Sequence, residues 1–147
     1  MTGWVHQFGV VRVGVTPPRN DLRMNNTRER HLRELAAAQH GLVARRQLVA
    51  LGYDATAIRR RVGSGQFERV AKRVFRLGGA ASTDHSRLMA AVLDVGTEAA
   101  VSFDSAAAIW EQPGFRFDPI HVTGLRPTTK HGDHELAIVH QPRLLLP

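Results

Sequence analysis

Three consecutive arginines, Arg59, Arg60 and Arg61, lie in the stretch DATAIRRRVGSG. A guanidinium stays charged at any physiological pH, and its planar fork of donors suits phosphate oxygens and guanine edges. Such a triplet is also what an ordinary solvated helix face looks like, so its setting decides. On a helix over residues 55–63, capped by Asp54, Ile58 and Val62 turn inward and the arginines fan over the remaining surface. Two alternating apolar runs follow, Phe67-Glu68-Arg69-Val70 and Val74-Phe75-Arg76-Leu77. They read as a β-hairpin with Lys72 and Arg73 at its tip and Arg69 and Arg76 on its strands. Arg45 and Arg46 open the preceding helix, and Thr56, in the first turn of the arginine helix, is short enough to reach a base edge or a phosphate. Cations on a helix and a hairpin tip are what neutralising a nucleic-acid backbone requires. Arg45, Arg46, Thr56, Arg59, Arg60, Arg61, Arg69, Lys72, Arg73 and Arg76 are therefore the candidate contacts to double-stranded DNA. About six to eight phosphate contacts would make log K fall against log [salt] with a slope of roughly −5 to −7.

The charge is concentrated where these residues lie. The 147-residue chain holds 20 Lys and Arg against 13 Asp and Glu, net +7. Residues 1–79 carry 15 of the basic and 5 of the acidic groups, residues 80–147 the other 5 and 8, so a basic module precedes a neutral-to-acidic one. A composition 43% hydrophobic and 6% aromatic is globular. The absence of cysteine excludes disulfide frameworks, zinc ribbons, thiol nucleophiles and iron–sulfur sites. No apolar run approaches the roughly 20 residues of a membrane span, and no secretory signal opens the chain, so a cytoplasmic protein with no membrane partner is expected. His131, His134 and Glu135 in HGDHE, with His121 and His140 on expected strands, invite a metal reading. There is no HExxH and no i, i+4 ligand pair on a helix, and Gly132 points to a loop, so no metal site is expected. Ser102, Ser105 and His121 lack a GxSxG elbow, and neither a GxGxxG nor a phosphate-binding loop is present. No catalytic residue and no cofactor are expected; the chain does not read as an enzyme.

The elements that must position the cations can be read in order. Asn26 or Thr27 caps a helix over residues 28–39, with Leu32, Leu35 and Ala36 on one buried face and Gly41 beyond its end. Leu42-Val43 is extended, residues 44–51 form a second helix, residues 55–63 a third, and the hairpin closes at Gly78-Gly79. Helix, helix, helix, hairpin is the winged helix-turn-helix order, in which the last of the three helices enters the major groove. Residues 80–147 read as a small α/β unit. It has a helix capped by Ser82 or Thr83 and running to Val95 on a Leu88, Ala91, Val92, Val95 stripe. An extended 100–102 and a short helix over 105–110 follow, the latter capped by Asp104 with Trp110 in the core; strands lie near Ile120 to Val122 and over 137–139. The fold class is α+β: a winged helix-turn-helix at 27–79, then the α/β unit at 80–147, which the apolar Leu144-Leu145-Leu146 suggests is incomplete. Residues 1–26, interrupted by Pro17-Pro18, read as a disordered or extraneous extension, with Met24 a candidate start.

The segment LRELAAAQHGLVARRQLVALGYDATAIRRRVGSGQFERVAKRVFRLGG resembles the N-terminal domain of the AbiEi family of type IV toxin–antitoxin antitoxins. His40, Gly41, Leu48, Gly52, Ile58, Arg60, Arg61, Val62, Gly65, Phe67, Arg69, Val70, Val74 and Phe75 match that pattern in order and spacing. Lys72-Arg73 stands where the family usually has an Arg-Gly turn. SRLMAAVLDVGTEAAVSFDSAAAIWE, PIHVTGLRP and LAIVHQPRL resemble the following segment of actinobacterial members, some of which continue into a nuclease-like domain related to very-short-patch repair endonucleases. The resemblance implies a DNA-binding repressor of a toxin–antitoxin operon; a nucleotidyltransferase-type toxin and, through the apolar end of the second unit, a second copy of the chain are the further partners expected. Two other readings stand beside it: the DNA-targeting part of a nuclease, and a winged-helix module that binds protein.

Overall fold

The computed structural model describes residues 21–124 and 134–142. The first helix, α1 (Asp21–Ala38), starts seven residues ahead of the expected Arg28. Thr27 does not cap it: its hydroxyl donates to the Arg23 carbonyl one turn back, at 3.0 Å, and Asn25 accepts from Arg28 at 3.0 Å. Polar residues satisfied within a helix need not end it. At the other end His40 and Gly41 both have positive φ, 56° and 81°, and the Gly41 amide bonds back to the Ala36 carbonyl at 2.7 Å. A Cβ on Gly41 would stand 2.4 Å from the Ala80 Cβ, so only glycine fits the turn.

Strand β1 (Leu42–Ala44) leads into α2 (Arg45–Ala50), and Asp54 caps α3 (Ala55–Gly63) by accepting from the Ala57 amide at 2.7 Å. The hairpin is β2 (Phe67–Ala71) and β3 (Val74–Leu77), antiparallel, with β1 paired on the far side of β3. Ala71, expected in the turn, belongs to β2. A register shift between Arg69 and Ala71 absorbs one residue and leaves Lys72-Arg73 as a tight connection. Leu32, Ala36, Val43, Leu48, Tyr53, Ile58, Phe67 and Phe75 fill the core of this winged helix-turn-helix. Two buried glutamines lock its halves. Gln39 and Gln47 exchange amide hydrogen bonds at 3.0 and 2.8 Å; Gln39 also donates to the Leu42 carbonyl, and Gln47 accepts from the Ala44 amide. Fully paired, these amides are affordable inside.

The second unit opens with α4 (Asp84–Val95), capped by Thr83, which accepts from the Ser86 amide. The expected stripe is only one of its two buried faces. Leu88, Ala91 and Val95 pack on Ile120 and Val122, while Ala90 and Leu93 pack on Leu42, Ala44, Ala71 and Val74 of the first sheet. The helix is thus sandwiched between that sheet and a second one, β4 (Ala99–Val101), β5 (His121–Gly124) and β6 (Ile138–His140), in the order β4-β5-β6 with β5 and β6 parallel. Between β4 and β5 lies α5 (Phe103–Ile109). It begins two residues before the expected start, so Asp104 sits in its first turn and Ser102 holds the cap position. Trp110, expected in the core, is 78% exposed. The inward side of α5 is made by the small residues Ser105 and Ala108. The Ser105 hydroxyl accepts from the His121 amide at 2.9 Å, which brings α5 too close to β5 for a large ring. Phe103, at the other end of α5, is 62% exposed with its ring centre 4.5 Å from that of His140.

Candidate nucleic-acid interface

On α3 the buried Ile58 fixes which side faces solvent. Thr56, Arg59, Arg60 and Gly63 are exposed at i, i+3, i+4 and i+7, one continuous face of the second helix of the helix-turn-helix. Arg59 and Arg60 make no ion pair or side-chain hydrogen bond among the described residues, and neither does exposed Arg45 at the start of α2.

Arg61 points the other way. Its guanidinium makes a two-pronged contact with the Glu29 carboxylate of α1 and lies 4.8 Å from the centre of the Tyr53 ring and 5.5 Å from that of Phe67. The Tyr53 hydroxyl donates to the same carboxylate at 2.6 Å, and Arg28 covers the other reach of the Tyr53 ring at 4.4 Å. Burial pushes the Glu29 pKa up, but the hydrogen bonds from Arg61 and Tyr53 and the charges of Arg61 and Arg28 outweigh it, and the net value falls below the usual 4.5. The Tyr53 hydroxyl, disfavoured as an anion by burial and by its bond to Glu29, is pushed up from 10.0 to about 12. Arg61 is thus a bolt between α1 and α3.

The other expected contacts are engaged to different degrees. Arg69 folds over the hairpin tip, its guanidinium donating to the Lys72 carbonyl at 3.1 Å. Arg76 pairs with Glu68 across the hairpin at 3.1 Å and is only 13% exposed. Lys72 is exposed at the tip; Arg73 beside it lies 3.9 Å from Asp94 of α4. Arg46 turns inward to donate to the Leu93 carbonyl at 2.8 Å; burial lowers its pKa and the Asp94 charge opposes the shift. The structure therefore brings Arg45, Thr56, Arg59, Arg60 and Lys72 to the exposed surface of the winged helix, and engages Arg46, Arg61, Arg69, Arg73 and Arg76 in contacts of its own. Asp94, which lies opposite Arg73 and whose charge Arg46 feels, escaped the sequence reading. Its signal was an acid inside the apolar run VLDV, which marks a helix position between two apolar faces.

The histidines separate in the same way. His131 lies outside the described residues. His134 bonds to Asp94 at 3.1 Å, and His121 Nδ1 and His140 Nε2 are 2.9 Å apart. The latter two ring centres are 5.2 Å apart with planes 24° from parallel, a separation equal to the N···N distance plus a ring radius at each end. The rings therefore meet edge to edge along one line, sharing one N–H, and their lone pairs do not converge on a common point where an ion could sit. Among the described residues no group of three or more potential metal ligands occurs, and no helix is long and apolar enough to cross a membrane.

The geometry of a winged helix with a cationic second helix is joined by one comparison. Residues 30–78 match the family described as transcriptional regulator, AbiEi antitoxin. The match runs from the middle of α1 to the glycine that closes the hairpin, the segment on which the sequence resemblance rests. Among curated proteins no sequence matches the chain. The winged helix is thus a transcriptional-regulator domain of the AbiEi antitoxin type, and the α/β unit of residues 84–142 packs against it through α4.

Proposed function

We propose that the chain is a sequence-specific DNA-binding regulator that represses its own toxin–antitoxin operon, acting by binding and not by catalysis. The carrying observation is the exposed face of α3, where Thr56, Arg59 and Arg60 stand side by side on the helix that a winged helix-turn-helix inserts into the major groove. Arg59 or Arg60 supplies the fork that reads guanine, and Thr56 the short contact near the helix N-terminus. Arg45 and Lys72 anchor the flanking phosphates from α2 and the wing. With about four exposed cations at the surface, the slope of log K against log [salt] is roughly −4, near −0.9 per contact.

The test is fluorescence anisotropy of the full chain with a labelled duplex from upstream of its own gene, beside a scrambled duplex, over a series of salt concentrations. Tighter binding to the upstream duplex with a salt-dependent affinity supports the proposal; equal affinities refute specificity, and a flat salt response refutes DNA binding. For an antitoxin, the protein partner is a nucleotidyltransferase-type toxin. The exposed Trp110 at the end of α5 supports such a contact, because a large aromatic ring left in water is a common mark of a protein interface.

A further inference from the structure

Asp94 is 3% exposed in the last turn of α4, at the joint between the two sheets. An ionised carboxylate there is costly unless donors and cations hold it. Three groups do so, each from a different part of the chain. His134, ahead of β6, bonds to one oxygen at 3.1 Å. Arg46 of α2 approaches from the helix-turn-helix, its charge felt by Asp94 while its donor sits on the neighbouring Leu93 carbonyl. Arg73 of the wing tip stands 3.9 Å from the other oxygen, Oδ1, which accepts no hydrogen bond among the described residues. Arg73 is 40% exposed, so the wing contact is the loosest of the three.

We propose that Asp94 holds Arg73 back from DNA phosphates, so that the second unit sets the grip of the winged helix through α4. This rests on the DNA-binding reading above. A carboxylate and a phosphate compete for the same guanidinium fork. A guanidinium already facing a buried carboxylate therefore adds less to a phosphate contact than one facing water. Any partner that shifts α4, or the 134–142 segment that brings His134 to it, changes how many cations the wing offers. The four-cation surface then gains a fifth cation when Asp94 lets Arg73 go.

The experiment compares full-length D94N with wild type and with D104N, which removes the same charge from an exposed position on α5 that has no side-chain partner among the described residues. Each is eluted from heparin by salt and titrated against the upstream duplex. D94N is expected to elute at higher salt than D104N, and its log–log slope on DNA to steepen by about 0.9 per guanidinium released. Adding R73Q to D94N should remove the share that Arg73 supplies. A folded D94N that elutes with or before D104N overturns the proposal. Heparin reads released cations without regard to base sequence. A gain there with no duplex binding by any variant upholds the clamp and refutes the DNA reading alone. Should D94N fail to fold, R73Q and R59Q in the wild-type background decide. The clamp requires R73Q to lose less than half the slope that R59Q loses, and equal losses overturn it.

Discussion

Arg59, Arg60 and Arg61 are adjacent in sequence and chemically identical, yet their replacement should divide cleanly into two kinds of effect. Arg61→Ala removes the two-pronged contact with Glu29 and the guanidinium over the Tyr53 and Phe67 rings. Hydrogen bonds to a charged group contribute about 1.5–3 kcal/mol. The partners here are 23% and 29% exposed, so the lower end applies. A cation over an aromatic ring adds about 0.5–1 kcal/mol. The expected loss is about 2–3 kcal/mol, or roughly 5–10 °C in melting temperature for a chain of this size. Arg59→Ala and Arg60→Ala remove exposed side chains that make no ion pair or hydrogen bond among the described residues and install the best helix former, so stability should stay within about 0.5 kcal/mol. Their effect falls on DNA: a slope shallower by about 0.9 for a phosphate contact, or a loss of about 1–3 kcal/mol with relaxed sequence preference for a base contact. Urea unfolding followed by circular dichroism measures the first effect, and duplex anisotropy at several salt concentrations the second. An Arg61→Ala protein as stable as wild type, or Arg59→Ala and Arg60→Ala proteins as destabilised as Arg61→Ala, would refute the assignment of faces on α3.

Gly41→Ala should cost about 2–4 kcal/mol in urea unfolding, since it combines a φ of +81° with a Cβ driven into the Ala80 Cβ; an unchanged midpoint would contradict the close approach. The Glu29–Tyr53–Arg61 cluster gives stability two pH limits. Glu29, held below 4.5, stabilises the fold above that value and ceases to as pH falls through its lowered pKa. Tyr53, pushed up to about 12, stabilises below pH 10 and ceases to as pH rises through 12. Urea midpoints against pH should show both losses, and Tyr53→Phe should abolish the alkaline one. Leu93→Ala should cost about 2–5 kcal/mol and the full chain should unfold in one transition, because Leu93 joins α4 to the first sheet while Leu88 joins it to the second; two separate melts would show that the units do not share a core.

What the sequence made legible follows from which signals are local. Asp54, Ile58 and Val62 fix α3, and the alternation from Phe67 to Leu77 fixes the hairpin, because caps and periodicity act over a few residues. The start of α1 was missed because Thr27 and Asn25 have the same composition whether they cap a helix or bond within it. Trp110 was misplaced for a different reason: hydrophobicity alone favours burial, whereas the close approach of Ser105 to β5 decides which face of α5 turns in, and that approach is tertiary.

The candidate site shows the same division more sharply. Every cation assigned to DNA was visible as a cation, but its availability depends on partners 32 residues away in the case of Arg61 and Glu29 and 47 in the case of Arg46 and Leu93. Charge count therefore overstates the interface. A winged helix that must also pack against a second unit spends part of its basic surface on that joint, and the arginines so used lie nearest the wing and α2, where α4 arrives. The outward face of α3 escapes this because Ile58 and Arg61 anchor the opposite side to the core and to α1. In this fold the outward face of α3 is set by where the core pulls the helix, and the cations left on the surface by what the neighbouring unit leaves uncovered.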